Sequence, residues 1–331
     1  MKKLLLLITS LYFPLSGYAA EHSQASMRIW FDTPNPSVAN PVWNGASSLS
    51  TCGDGPANLD PNWENYSLPI GNGNIGANIM GSIQTERITF NEKSLWRGGP
   101  NTCKNSTHYW DVNKQSASIL KEIREAFIQK DIDKATQLTQ DHFNGKAAYN
   151  ADGETPFRFG SFTSAGEFQI KTDIPENNIQ HYNRSLSLDS ALATVEFTHQ
   201  DIHYQRNYFI SYPDNVMVIR FSASEKRKQN LTFTYSPNPL SSGSFKKDGK
   251  NGISYIARLN DNQMQYAVRI KVLTQGGKVE NTKDKLIITA ADEVTFLITA
   301  DTDYFMNFSP DYKNPKTYVG VNPIQTTQQW M

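Results

Sequence analysis

Alternation of apolar and polar side chains with a period of two runs through residues 167–300 and constrains the fold more than any other feature. Such alternation is typical of strands that bury one face. Turn signals such as Pro213-Asp214 and Gly276-Gly277 separate the segments. Short strands at this spacing predict a mainly β fold, a large antiparallel β-sandwich. The predicted strands are 167–172, 179–188, 191–199, 202–211, 215–224, 230–235, 253–259, 263–273, 285–290 and 293–300.

The N-terminal half adds a short first strand, a hairpin and a pair of helices. Residues 27–31 are apolar enough for a strand, and alternation over 74–90 predicts a hairpin. Between 112 and 143 the apolar side chains recur at helical spacing, and Asp131 is a suitable N-cap for the second of two helices. We therefore expect a helix pair inserted into the sandwich.

The first twenty residues have the pattern of a secretory signal peptide. Lys2 and Lys3 precede an apolar run, and small residues follow at Gly17 and Ala19. The run is interrupted too early to span a bilayer, which takes about 20 apolar residues. We expect an exported protein, periplasmic or extracellular, with a signal peptide at 1–20, a β-sandwich domain at 21–304 and a linker at 305–331.

Export favours an oxidising compartment, and the chain has 2 cysteines, Cys52 and Cys103. A disulfide between them is the simplest interpretation, and two unpaired thiols are the alternative. The bridge would close a loop for which chain entropy suggests a stabilisation of roughly 4 kcal/mol.

Charge and motifs argue against several classes of function. The formal net charge is +0, so no broad field would attract nucleic acid or an anionic membrane. The string Gly71 to Gly76 resembles a dinucleotide loop, but strand residues follow it where a helix is required. His199 and His203 flank a turn and lack the further ligands that zinc needs. We expect no cofactor, no metal site and no membrane span.

A longer motif carries a family resemblance. The stretch 63–101, WENYSLPIGNGNIGANIMGSIQTERITFNEKSLWRGGPN, resembles the opening motif of the family 95 glycoside hydrolases, the α-L-fucosidase family. Ordered matches continue to about residue 304. They include RSLSLD at 184–189, RNYF at 206–209, PDNV at 213–216, ADEV at 291–294 and TDY at 302–304.

The resemblance implies a function that this chain would only partly carry. Members of the family continue into a catalytic (α/α)6 barrel and hydrolyse terminal α-L-fucosyl or related α-L-galactosyl residues with inversion. A general acid and water-positioning groups in the barrel carry out that reaction, and none of their motifs occurs in these residues. We therefore expect the N-terminal domain of a glycosidase, without the barrel and without catalysis of its own.

Three side chains beside the motif are candidates for binding substrate. Asn91, Glu92 and Trp96 lie in a cluster of Asn, Gly and Trp after a predicted strand. Glu92 could equally be bonded to loop amides, and Trp96, like Trp43 or Trp110, could equally belong to the core.

Two other hypotheses stay open. The chain could be a free-standing glycan-binding or assembly module, with a tryptophan stacked on sugar. It could instead pair with a separately encoded barrel, which would leave an exposed apolar patch near 75–96 or on the helices of 112–143.

Overall fold

A computed structural model describes residues 27–35, 61–98, 116–143, 161–309, 311 and 314–331 of the chain. The signal-peptide segment, both cysteines, Trp43 and Trp110 lie outside the described residues, so the predictions that concern them stay predictions. None of the described helices is both long and apolar enough to cross a membrane.

The described part of the chain is mainly β, as the alternation predicts. Fourteen strands form one antiparallel sheet, and two short strands pair separately. The strands are β1 Arg28–Phe31, β2 Leu68–Gly71, β3 Ile75–Ile79, β4 Thr85–Glu92, β5 Trp96–Arg97, β6 Ser161–Phe162, β7 Gly166–Thr172, β8 Ile179–Ser187, β9 Leu192–His199, β10 Ile202–Ser211, β11 Val216–Ala223, β12 Gln229–Pro237, β13 Ser241–Lys247, β14 Gly252–Leu259, β15 Gln265–Asn281 and β16 Lys285–Thr302. The helices are α1 Pro61–Tyr66, α2 Leu120–Ile128, α3 Ile132–His142 and α4 Pro323–Gln329, with 3-10 turns at Ser116–Ile119 and Pro315–Tyr318.

The long strand β16 makes the sheet branch. Along one edge it pairs with β15 over nearly its whole length. Along the other edge its first half pairs with β12 and its second half with β11. Two arms therefore leave the same edge of one strand, β12-β7-β4-β3-β2 and β11-β10-β9-β8-β1. The arms curl over each other and enclose a common apolar core.

Left-handed backbone residues lie where β15 and β16 bend. Gly276 and Gly277 have φ of 68° and 69°, and Ala290 opposite them has φ of 53°. A Cβ on Gly277 would lie 2.6 Å from the carbonyl oxygen of Thr289. Glycine is therefore required there, both for its conformation and for the close approach of the two strands.

Apolar side chains at alternate positions of the strands in both arms fill the core. In β9 and β10 every second side chain is buried, the pattern of strands with one face in a core. His199 is buried whereas His203 is exposed. Register places these histidines on opposite faces of the sheet, so they do not form a pair.

A buried polar cluster joins the two arms at the predicted motif. The Glu86 carboxylate accepts bonds from the backbone N–H of Gly81 at 2.8 Å and from the Tyr208 hydroxyl at 2.8 Å. Arg206 lies 3.4 Å from Glu86 and donates to the carbonyls of Ser82 and Ile83. Burial raises the pKa of Glu86, against the opposing charge of Arg206. Charged core groups persist only when they are paired and hydrogen-bonded in this way.

Arg87, beside Glu86, forms a second buried ion pair. Its Nε and Nη2 donate to the two carboxylate oxygens of Glu167 at 3.1 and 2.8 Å. Both side chains are 1% exposed. This fork geometry fixes β4 against β7, the neighbouring strand.

The helix pair forms where the sequence predicts it. The Asp131 carboxylate accepts from the backbone N–H of Lys134 at 3.1 Å, which confirms it as the N-cap of α3. On this pair Leu120, Phe127, Ile128 and Ile132 are exposed. By contrast, the apolar side chains of β3 and β4 are buried. Of the two positions predicted for an exposed apolar patch, the helices therefore present these four side chains, whereas 75–96 presents Trp96.

The buried ion pair between Arg87 and Glu167 provides a test of the structural role of the motif. Glu167→Gln should lower the free energy of unfolding by about 3 kcal/mol, because it replaces the charged member of a buried ion pair with a neutral amide. Denaturant titration measures the change.

Glu125→Gln is the matched control, since Glu125 forms an exposed pair with Lys121. Exposed pairs contribute little, so the control should unfold like the wild type. Equal effects of the two changes would contradict the structural role assigned to the motif.

Candidate functional site

A cleft of about 610 Å³ opens where three distant parts of the chain meet. We call it the Trp96 cleft. Its walls come from the β5 segment, from the β14–β15 turn and from the segment that follows β16. Its lining residues are Trp96, Arg97, Gly98, Arg258, Asn262, Gln263, Met264, Gln265, Asp303, Tyr304, Lys316, Tyr318, Val319, Gly320 and Asn322.

The β14–β15 turn holds the β5 segment in place. The Asn262 amide donates to the carbonyls of Trp96 and Gly98 at 2.7 and 3.0 Å. The Asp261 carboxylate accepts from the Gly98 N–H at 2.8 Å and lies 3.6 Å from the Arg97 guanidinium. The position of Trp96 therefore depends on residues more than 160 positions away.

The segment after β16 forms the opposite wall. Gly320 donates its N–H to the Asp303 carbonyl at 2.7 Å, and Phe305 donates to the Tyr318 carbonyl at 2.7 Å. Tyr304 and Tyr318 have nearly parallel rings, with centroids 6.4 Å apart. α4 continues the segment and packs against β15 and β16. The region predicted as a linker is thus folded against the sheet; its role toward a further domain stays a prediction.

Aromatic side chains in the cleft differ from those of the core in exposure. Trp96 is 46% exposed and Tyr304 is 38% exposed, whereas core rings such as Phe168 and Phe233 are fully buried. The indole N–H of Trp96 donates to the Lys93 carbonyl, and its ring meets Phe162 edge-on. Trp96 is therefore held in one orientation with part of its surface open.

Polar side chains lie among the aromatic rings. Arg258 donates to the Gln265 side-chain oxygen at 2.7 Å, and the Gln265 N–H donates to Asp303 at 3.0 Å. Burial raises the pKa of Asp303, while the nearby Arg258 charge opposes that shift. The cleft thus combines open aromatic surface with fixed donors and acceptors.

Glu92 is not among the described residues that line the cleft. It is 2% exposed, and its carboxylate accepts from the N–H and the hydroxyl of Ser94 at 2.9 and 2.6 Å. The Ser94 hydroxyl lies 2.5 Å from that of Thr302, the residue before Asp303. Burial raises the pKa of Glu92 to about 7, and the charge of Asp301 adds to the shift, whereas the bonds from Ser94 oppose it.

The three predicted site residues are thus separated by the structure. Trp96 lines the cleft, whereas Glu92 is buried and is connected through Ser94 to Thr302. Asn91 is half-buried opposite Gly76 and, as the neighbour of Glu92 in β4, points to the other face. Their role in binding substrate stays a prediction.

Sequence reasoning missed Arg258, Gln265, Asp303 and the two tyrosines of the cleft. The polar and aromatic composition after Thr302 was the available signal. Spacing in the sequence could not show that this segment folds back beside Trp96.

The two-armed sandwich and its motif define a class, the N-terminal β domain of glycoside hydrolases. Residues 53–307 match the model of glycosyl hydrolase family 65, N-terminal domain, and the chain belongs to this family. The predicted resemblance to family 95 α-L-fucosidases is confirmed over most of the chain by its relatives.

Two curated relatives and one solved structure illustrate the similarity. The chain is 29% identical over 293 residues to probable alpha-fucosidase A of Aspergillus niger, covering 86% of this chain and 34% of the relative. It is 26% identical over 166 residues to alpha-L-fucosidase 2 of Arabidopsis thaliana, covering 50% of this chain and 17% of the relative. A putative kojibiose phosphorylase from human microbiome aligns with a TM-score of 0.40 and 10% identity, covering 83% of this chain and 32% of that one. The chain thus spans about a third or less of the curated relatives' length.

The Glu92 environment predicts a dependence of stability on pH. A carboxyl group whose pKa is higher in the folded state binds an extra proton there between the two pKa values. Stability should therefore fall as the pH rises from about 4.5 to about 7. Across this range the free energy of unfolding should decrease by about 3 kcal/mol because of Glu92.

Glu92→Gln should remove that dependence. Relative to the wild type, the variant should be more stable at pH 8 than at pH 4.5, as measured by urea unfolding at both values. Glu125→Gln, at an exposed site, should show no such difference. A difference between Glu92→Gln and wild type that is the same at both pH values would refute the raised pKa.

Proposed function

We propose that this chain is the N-terminal domain of an exported glycoside hydrolase that removes terminal α-L-fucosyl, or related α-L-galactosyl, residues from glycans with inversion. Family membership and the similarity to a probable alpha-fucosidase over 86% of the chain support this function. The signal-peptide pattern at 1–20 supports export.

Hydrolysis itself is assigned to the part of the complete protein outside this chain. Inversion needs an acid and a water-activating group on opposite sides of the sugar, with room for a water molecule. Glu92, the carboxylate singled out by the motif, is hydrogen-bonded to Ser94 and is buried away from the surface. Its position supports a structural role within the proposed enzyme.

The second candidate is a free-standing glycan-binding module. The Trp96 cleft favours this function, because it combines open aromatic surface with fixed polar groups within the N-terminal domain itself. The two candidates differ in whether the complete reading frame encodes a catalytic domain after Met331.

An activity assay separates them. The complete reading frame and the 331-residue chain are expressed and incubated with nitrophenyl α-L-fucoside and nitrophenyl α-L-galactoside. We expect the complete protein to release nitrophenol and the chain alone to match the buffer blank. Nuclear magnetic resonance of the first product should show the β anomer, as inversion requires.

Turnover by the chain alone would contradict the assignment of catalysis to another domain. A complete protein that contains a barrel yet cleaves neither glycoside would contradict the proposed substrate. A reading frame that ends at Met331 would favour the binding module.

A further inference from the structure

The Trp96 cleft contains the two kinds of surface that a pyranose ring presents to a protein. A pyranose has an apolar face of C–H groups and a rim of hydroxyls. Trp96, Tyr304 and Tyr318 supply aromatic surface inside the cleft. Aromatic rings with an apolar body and a polar tip suit such mixed contacts.

The polar groups of the cleft are placed so that they can meet hydroxyls. Arg258 uses two of its nitrogens, for the Gln263 carbonyl and the Gln265 side chain. A guanidinium has five N–H donors, so donors remain for a ligand. The Asp303 carboxylate accepts the Gln265 N–H with one oxygen, and its other oxygen has acceptor capacity as well.

Charge and size favour a neutral ligand of a few sugar rings. The lining contains three cations, Arg97, Arg258 and Lys316, and one carboxylate, Asp303. Asp261 lies 3.6 Å from Arg97 and Asp303 lies near Arg258, so a carboxylate accompanies two of the three cations and the excess of positive charge is small. The volume of about 610 Å³ falls within the range of roughly 300–1,000 Å³ that is usual for small-molecule sites.

Specific hydrogen bonds order the walls of the Trp96 cleft. Its three segments are held together by a hydrogen bond that Asn262 donates and by hydrogen bonds that the Asp261 and Asp303 carboxylates accept. A site whose walls are already ordered loses little conformational entropy on binding.

From this geometry we propose that the Trp96 cleft is a saccharide-binding site for a neutral, fucosylated oligosaccharide. Trp96 and Tyr304 stack on the apolar faces of the sugar rings. Arg258, Gln265 and Asp303 bind hydroxyls. The choice of a fucosyl sugar rests on the proposed function, whereas the saccharide class rests on the cleft itself.

Calorimetric titration of the 331-residue chain with fucosyllactose tests the proposal. We expect saturable binding with a Kd below about 5 mM, weakened at least about tenfold by Trp96→Ala. Trp96→Phe keeps an aromatic face and should bind within about threefold of the wild type. Lactose, which lacks the fucosyl group, should bind at least about fivefold more weakly than fucosyllactose.

Trp30→Ala is the matched control, because Trp30 is 59% exposed on the edge strand β1, whose partner is β8. It should leave the Kd unchanged. If Trp96→Ala fails to fold, Tyr304→Leu replaces it, with Tyr212→Leu as its control at a site 81% exposed. Tyr304→Leu should also weaken binding about tenfold.

Absence of saturable binding by the wild type overturns the proposal, as does a cleft variant that folds and binds like the wild type. Equal binding of lactose and fucosyllactose overturns the fucosyl assignment. The activity assay tests the proposed function separately. Hydrolysis by the complete protein without binding in the cleft contradicts the proposed binding site alone. Binding in the cleft without hydrolysis contradicts the proposed hydrolase activity alone.

Discussion

The backbone hydrogen bonds of β16 are the constraint on which the rest of the structure depends. One edge of this strand is taken by β15, and the other is shared in succession by β12 and β11. Because the arms leave the same edge at different heights, each can cover the apolar face of the other. The end of β16 also carries Asp303 and the segment of the Trp96 cleft. Core and cleft are thus set by the course of one strand.

The signature motif connects these two regions of the molecule. Its first part supplies Glu86 and Arg87, whose paired charges tie β4 to both arms. Its last part supplies Glu92, which is buried, and Trp96, whose ring lines the cleft. A motif that is continuous in sequence therefore contributes both to the buried core and to the exposed cleft.

The sequence predicted those elements whose cause is local. Strands such as β9 and β10 show in the alternation because burying one face selects apolar residues at every second position. Strand β13 was not predicted, because Ser241–Lys247 is largely exposed and has no buried face that would require alternating apolar residues. β16 was predicted as two strands, 285–290 and 293–300, and the predicted break lies beside the left-handed residue Ala290. The cleft was not predictable, since its walls are joined by contacts such as Asn262 with Trp96, 166 residues apart.

The branched sheet also has a consequence for the order in which the molecule can form. The strand shared by both arms, Lys285–Thr302, comes last among the strands, whereas β2 ends at residue 71. Synthesis proceeds at about 5–20 residues per second, so the earlier strands wait on the order of 10–50 s for their common neighbour. During that interval each arm is an open sheet with an unpaired edge and an uncovered apolar face. Closure therefore waits until β16 has been synthesised, and the growing chain needs protection from association until the long β15–β16 hairpin emerges.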